Sequence, residues 1–426
     1  SRIEPHERRA VGWATAWFFL VLFGYFIIRP VRETMSTIGG TRQLQYLFLY
    51  TFLAMLVAVP LYSALVARLP RRWLVRVVFH FFAACLFGFF LLMRVESSEV
   101  QVWTARAFFI WVSVFGVFST SVFWSVLADL FTSQQGKRLF GLIAAGGTAG
   151  AITGSLITSQ VATKLSTGTL LLIPIAIIEA GLWCAWRLEK QAARAQDPKT
   201  KQNLTKTDAA TGGGLLAGIT HVFRSSYLAS ICLFLFFVQG FGTQLYFEQA
   251  EIVKDSIENQ ESRTELFAYI DLGTQLLTLL VQALVSGFVL RRLGVSVALV
   301  ILPCVYAIGF VSLAYSPTLS VLIATVIAAR AAGYGIAVPA REVLFTVVSR
   351  EDKYKSKSFI DTVVLRGGDV ASGQIFGSLR SGLGIGITAL NLYVLPFVGI
   401  WAATAGQLGR RQKQLAKAQQ WRRVLM

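Results

Sequence analysis

The sequence predicts an all-α polytopic membrane protein, with twelve transmembrane helices in two six-helix halves. Three observations predict it. Over 426 residues the chain is 55% hydrophobic and 15% charged, with a mean hydropathy of +0.60; an average soluble domain is far more charged. Apolar runs of about 18 residues or more, enough to cross a bilayer as a helix, recur along the chain. They centre near residues 20, 55, 83, 113, 149, 177, 238, 278, 304, 328, 370 and 394. They do not alternate as barrel strands would, so their backbone groups must be satisfied within helices. Third, with both termini placed inside, most of the 40 Lys and Arg fall on cytoplasmic segments, as the positive-inside rule requires. That distribution accounts for the net charge of +18 without a nucleic-acid partner.

The elements follow in order. After a polar leader, Ser1–Ala10, the first apolar run, Val11–Ile28, is followed by Arg-Pro-Val-Arg-Glu and not by a small-residue cleavage site, so no cleaved signal is expected. Span one thus carries Arg29, Arg32 and Glu33 in or just past its outer half. Arg29 and Glu33 share a face at four-residue spacing, although Pro30 interrupts the ladder between them. The turn after span two, from Arg68, and its counterpart Arg291-Arg292-Leu-Gly after span eight read as topology anchors or gate contacts. Span four ends at Asp129, close to Lys137 and Arg138, which are its expected partners. Span five opens with Gly146, Gly150 and Gly154, a stripe that lets a second helix approach closely. It is not a phosphate loop, since no strand precedes it and no lysine follows. The expected organisation is an N-terminal half over 1–187, a polar linker over 188–225, a C-terminal half over 226–409 and a basic tail over 410–426. Leu130-Phe-Thr and Leu344-Phe-Thr, each followed by a basic turn and a helix with a Gly-Gly pair, form an internal echo of the two halves.

Span seven carries Gln239, Gln244, Tyr246, Glu248 and Glu251; span eight opens with Tyr269 and Asp271; span ten carries Arg330 and Tyr334 and ends at Arg341-Glu342. The stretch Arg341–Asp369 is densely charged, and its members Asp361, Arg366 and Asp369 lie inside span eleven. Each embedded charge costs ~2.5–3.5 kcal/mol on insertion scales and survives where it lines a wet path or finds a partner. The four cysteines, Cys85, Cys184, Cys232 and Cys304, lie in apolar spans and read as small hydrophobes. The histidines, His6, His80 and His221, are scattered. No metal, cofactor or enzymatic nucleophile–base set is expected.

Embedded charge on spans one, four, seven, ten and eleven points to a solute path. The surplus of guanidinium groups, from Arg29, Arg32, Arg330, Arg341 and Arg366, suits carboxylate or phosphate oxygens, so the expected partner is a small anionic solute in a lipid bilayer. Tyr25, Tyr246 and Tyr334, with Trp124, offer faces for a planar base. Asp129, Glu248, Asp361 and Asp369 would pair with the arginines when the site is empty, and substrate phosphate would displace them. Two other readings stay open: a proton-coupled carrier of another organic anion, with Asp129 or Glu248 titrating, and a non-transporting membrane component that handles lipid or a partner protein.

Three stretches carry a resemblance: Arg29-Pro-Val-Arg-Glu-Thr; Phe123-Trp-Ser-Val-Leu-Ala-Asp with Gly-Lys137-Arg-Leu-Phe-Gly; and Pro339-Ala-Arg-Glu-Val-Leu-Phe-Thr with the run from Arg350 to Asp369. They resemble the nucleotide transporter family, the ATP/ADP translocases of plastids and intracellular bacteria with relatives in free-living bacteria. The resemblance implies a major-facilitator-like fold and exchange of nucleotides or similar anions; the expected setting is a bacterial inner membrane, multi-pass with cytoplasmic termini, as a monomer. It maps functional charge to Arg32, Asp129, Glu248 and a basic residue among Arg341, Lys355 and Lys357. The sequence departs from the family pattern in span one, where Lys-Asp is replaced by Arg32-Glu33, in span four, where Asp129 stands for Glu, and in span seven, where Glu248, Glu251 and Tyr246 compete for one position.

Overall fold

A computed structural model describes residues 3–5, 7–195, 225–348 and 360–425. Twelve long helices account for most of them. The first six are α1 (Arg8–Ser36), α2 (Gly40–Arg68), α3 (Arg71–Leu92), α4 (Ser98–Leu130), α5 (Ser133–Val161) and α6 (Leu172–Ala195). The second six are α7 (Ser226–Ser256), α8 (Gln260–Leu280), α9 (Gly294–Tyr315), α10 (Leu319–Ala332), α11 (Leu365–Ser381) and α12 (Ile387–Leu425). Eleven helical stretches among the described residues are long and apolar enough to cross a membrane. The twelfth expected span, α11, is present as a helix of 17 residues. Its glycines together with Arg366, Asp369 and Arg380 keep it from that apolar class.

Two compact units emerge. The first gathers Ser1–Gly39, Leu53–Thr211 and Ile257–Leu272; the second gathers Gly40–Phe52, Gly212–Ser256 and Gly273–Met426. In the first unit α1 is the central element, packed against α4, α5 and α6. The glycine stripe explains its closest contact. A methyl on Gly146 would lie 2.4 Å from the Thr15 side chain, one on Gly150 2.1 Å from the Phe19 carbonyl oxygen, and one on Gly154 2.6 Å from that of Phe23. The α1 and α5 backbones therefore approach as only glycine allows. Trp17, Phe18 and Phe123 belong to the core around α1, with Phe18 and Phe123 stacked at 4.3 Å.

The turn from α4 to α5 is set by a capping box. Thr132 Oγ1 accepts from the Gln135 backbone N–H at 3.4 Å, and Gln135 Oε1 accepts from the Thr132 N–H at 2.9 Å. One turn later Arg138 donates to Glu4 at 3.0 Å and Glu7 at 2.5 Å, and Gln135 donates to Glu7 at 2.9 Å. The polar leader is thus an acidic clamp on this turn.

In the second unit the helical ladder is interrupted where the charges gather. α8 runs on through π-helical turns at Val281–Ser286 and Val289–Leu293, α10 through one at Gly333–Ala337 followed by Val338–Leu344, and α11 is preceded by one at Ile360–Val364. Such turns widen the helix and release backbone carbonyls. One is re-satisfied from a neighbouring helix: Gln282 donates to the Tyr334 carbonyl at 3.2 Å. Gly335 makes room for this contact, since a methyl there would lie 2.7 Å from Val281.

Candidate functional site

Each unit holds its own cluster of embedded polar groups. In the first, the C-terminal part of α1 presents Arg29, Arg32 and Glu33, and the start of α8 presents Asp271. Glu33 and Asp271 are 2% and 1% exposed. Arg29 bridges them, with Nη1 3.2 Å from Asp271 Oδ1 and Nε 3.8 Å from Glu33 Oε1. Arg32 Nη1 lies 3.4 Å from the same Glu33 oxygen, and its guanidinium stands over the Phe109 ring at 4.3 Å. The two cations and two carboxylates form a neutral group, which is how a low-dielectric site tolerates them. Glu33 Oε2 is buried without a hydrogen-bond partner among the described residues, so this carboxylate retains acceptor capacity.

Two further rungs join the same helix ends. Thr34 and Thr264 share a hydroxyl–hydroxyl bond of 2.8 Å, and Arg263 Nη1 donates to Thr37 Oγ1 at 2.8 Å. Arg263 is itself oriented by its Nε, which donates to the Ile257 carbonyl at 2.7 Å. The pairs 29–271, 34–264 and 37–263 climb α1 as they descend α8, the register of two antiparallel helices. The Thr34 hydroxyl also lies within donating distance of the Pro30 carbonyl, at 3.1 Å.

In the second unit, Glu248 is 1% exposed. Gln244 Nε2 donates to its Oε1 at 3.0 Å and Asn391 Nδ2 to its Oε2 at 3.1 Å. Gln244 also donates to Asn391 Oδ1 at 2.9 Å, which closes a ring of three side chains. The expectation that Glu248 pairs with an arginine is corrected here: amides hold it, and Arg380 acts on it only through space. Arg380 is occupied by Glu251, with which it forms a two-point ion pair, and by the Ile385 carbonyl at 2.5 Å. Asp369 accepts from Gln239 at 2.9 Å and Thr243 at 3.3 Å, tying α11 to α7. Arg330 donates to Gln249 at 3.2 Å, and Arg330 and Tyr334 lie near enough to Tyr306 to act on it electrostatically.

The remaining expected residues have distinct settings. Tyr25 is half-buried against Phe26 and Phe115, and its ring occupies the space that a side chain at Gly116 would need. Tyr246 stands edge-on to Phe48 at 5.6 Å. Tyr334 is 50% exposed. Arg341 Nη2 lies 3.5 Å from Oε1 of its neighbour Glu342. Asp129 is exposed on α4, and Arg138, one of its expected partners, reaches the leader carboxylates. The side chains of Lys137 and Asp361, and the whole of Lys355 and Lys357, lie outside the described residues. Arg366 is half-buried near the start of α11 and has no ion pair or hydrogen bond among the described residues. A methyl added at the adjoining Gly367 would meet nothing within 4 Å among the described residues.

Sequence reading passed over Asn391, Tyr306 and Arg380 and gave Asp271 no role. Asn391 carried a usable signal, being an amide within an otherwise apolar span. Arg380 did too, as a cation in the last turn of a span, where embedded charge calls for a partner.

Comparison with known proteins places this geometry. Solved structures share the fold over nearly the whole chain. A point mutant of the nucleoside transporter NupG is 16% identical with a TM-score of 0.63, and covers 95% of this chain and 99% of its own. A POT family transporter in complex with 5-aminolevulinic acid is 11% identical with a TM-score of 0.65, covering 95% and 96%. A D-xylose–proton symporter is 12% identical with a TM-score of 0.62, covering 96% and 97%. At these identities the likeness is one of fold. No curated protein matches the sequence. The Major Facilitator Superfamily profile matches residues 15–358, most of the chain, and with the all-helical architecture it shows that this protein belongs to the Major Facilitator Superfamily of membrane transporters.

Proposed function

We propose that the protein exchanges nucleotides of the ATP/ADP kind, or similar phosphorylated anions, by alternating access. In this reading it works as a monomer in a bacterial inner membrane with both termini cytoplasmic, and its two six-helix halves are joined by the linker 188–225. The observation that carries the reading is Arg366. It is a half-buried guanidinium with no internal counter-charge among the described residues, whereas Arg29, Arg32 and Arg380 are each held by carboxylates. A phosphate would offer Arg366 a partner in the bidentate geometry that guanidinium favours. Arg29 and Arg32 would join it once a competing anion draws them from Glu33 and Asp271. An empty carrier stays self-paired and crosses slowly, which is the physical basis of exchange.

The test is uptake of radiolabelled nucleotide into proteoliposomes. It should require nucleotide inside, and Arg366→Ala and Arg32→Ala should each reduce it by at least about tenfold, the loss of roughly one charge-assisted bond. Absence of uptake across a panel of nucleotides and sugar phosphates sinks the proposal.

A second reading, a proton-coupled carrier of another organic anion, is favoured by Glu248, a buried carboxylate whose hydrogen bonds come from amides alone. In the same vesicles it demands uptake driven by a pH gradient with no solute inside, abolished by a protonophore and by Glu248→Gln.

A further inference from the structure

Several arginines of the second unit are held by acidic or amide side chains and four others, among the described residues, are not. Arg380 and Arg341 contact carboxylates and Arg330 contacts an amide. Arg291, Arg292, Arg410 and Arg411 have no carboxylate partner among the described residues, and all four are exposed. Their segments offer none: the sequence has no acidic residue between Asp271 and Glu342 and none after Asp369.

The fold brings these two pairs together. Arg291 and Arg292 end the π-helical continuation of α8, and Gly294, at φ +86°, turns the chain directly into α9. Only glycine takes that conformation readily. The start of α9 then packs against the far part of α12 at backbone distance. Ser296 Oγ donates to the Gly406 carbonyl at 2.8 Å, and a methyl on Gly409 would lie 2.2 Å from Ser296 Cα. Arg410 and Arg411 follow Gly409 immediately, so four guanidinium groups share one end of the α8–α9–α12 packing. Arg411 donates to the Ser226 hydroxyl at 3.3 Å, and Arg291 Nε to its own helix at the Gly287 carbonyl at 3.1 Å. Neither contact neutralises charge. The same elements expose Leu284, Phe288, Leu293 and Val297 along their sides.

Four like charges at one end of this packing attract an anion, and the exposed apolar side chains of the same elements favour an apolar neighbour. We propose that this patch is a binding site for the headgroup of an anionic phospholipid, the guanidinium groups taking its phosphate and the apolar faces its acyl chains. Basic clusters at the cytoplasmic edge of a span attract such lipids through both charge and hydrogen bonds. The site uses neither Arg366 nor the Glu248 ring and does not depend on what the protein transports.

Native mass spectrometry of the protein, exchanged into detergent with phosphatidylglycerol, diphosphatidylglycerol or phosphatidylcholine, tests this. Retention of anionic lipid, but not of phosphatidylcholine, is expected. Replacing all four arginines by glutamine should weaken it by at least about tenfold, and the pair Arg292→Gln and Arg410→Gln by less. Neutralising Arg8 and Arg9, two cations of the other unit, should leave it unchanged. Thermal unfolding in neutral detergent should be the same for all forms, which separates lost lipid from lost fold. Equal retention in the fourfold variant and the control overturns the proposal. So does a stabilising shift with inorganic pyrophosphate as large as that with anionic lipid, which would make the patch a site for soluble phosphate.

Discussion

Arg29 lies between two carboxylates of unequal origin, and the inequality explains what could be foreseen. Glu33 is four residues away on the same helix, so their partnership follows from helix geometry alone. Asp271 comes from a helix distant in sequence, and no local rule connects it to Arg29. It is also the closer of the two, at 3.2 Å against 3.8 Å. The same limit applies to Glu248. An embedded carboxylate must be satisfied, which the sequence makes plain, but amides proved to be the donors because Gln244 lies one turn below and Asn391 faces it from α12. The Arg29–Asp271 pair yields a quantitative test. Breaking a buried pair from one side costs ~3–5 kcal/mol, and Arg29 at 13% exposure places it at the lower end. Asp271→Asn should therefore cost about 3 kcal/mol in thermal or denaturant unfolding. Arg29→Gln combined with it should cost less than the two single changes added together. Strict additivity would show that the pair is not coupled.

Among the elements, the contact of α1 with α5 was the most legible. Glycines at four-residue spacing have one obvious use inside a bilayer, and the structure puts the α1 backbone against them. The π-helical turns were not legible, because nothing in the local composition of Gly333–Ala337 or Ile360–Val364 separates a widened turn from an ordinary one; the packing against neighbouring helices decides it. The leader was likewise read as a polar overhang, yet Glu4 and Glu7 clamp Arg138. The glycine stripe gives the clearest stability prediction. Gly150→Ala places a methyl 2.1 Å from the Phe19 carbonyl oxygen, and overpacking of this kind costs ~1–3 kcal/mol. Gly12→Ala, where an added methyl meets nothing within 4 Å, should be neutral or stabilising by about 0.5–1 kcal/mol through helix propensity. The melting temperatures of the two variants in the same detergent should move in opposite directions, or only that of Gly150→Ala should fall.

At the scale of the whole molecule, hydropathy made the all-helical, many-span architecture legible. It does not record which helix ends come together, because that depends on the state of the carrier. The three rungs between α1 and the start of α8, Arg29–Asp271, Thr34–Thr264 and Thr37–Arg263, belong to one such state. If transport proceeds by alternating access, these rungs must part in every cycle, and none can be stronger than the substrate's differential binding can offset. The middle rung can be made covalent. Thr34→Cys with Thr264→Cys, in a chain whose four native cysteines are replaced, puts two sulfurs where the hydroxyls stand 2.8 Å apart, well suited to a disulfide. Oxidation should abolish counterflow and reduction should restore it, while each single cysteine variant stays indifferent to both. A cross-linked protein that still exchanges solute at the uncross-linked rate would mean that α1 and α8 move together, and the opening would then have to be sought at another pair of helix ends.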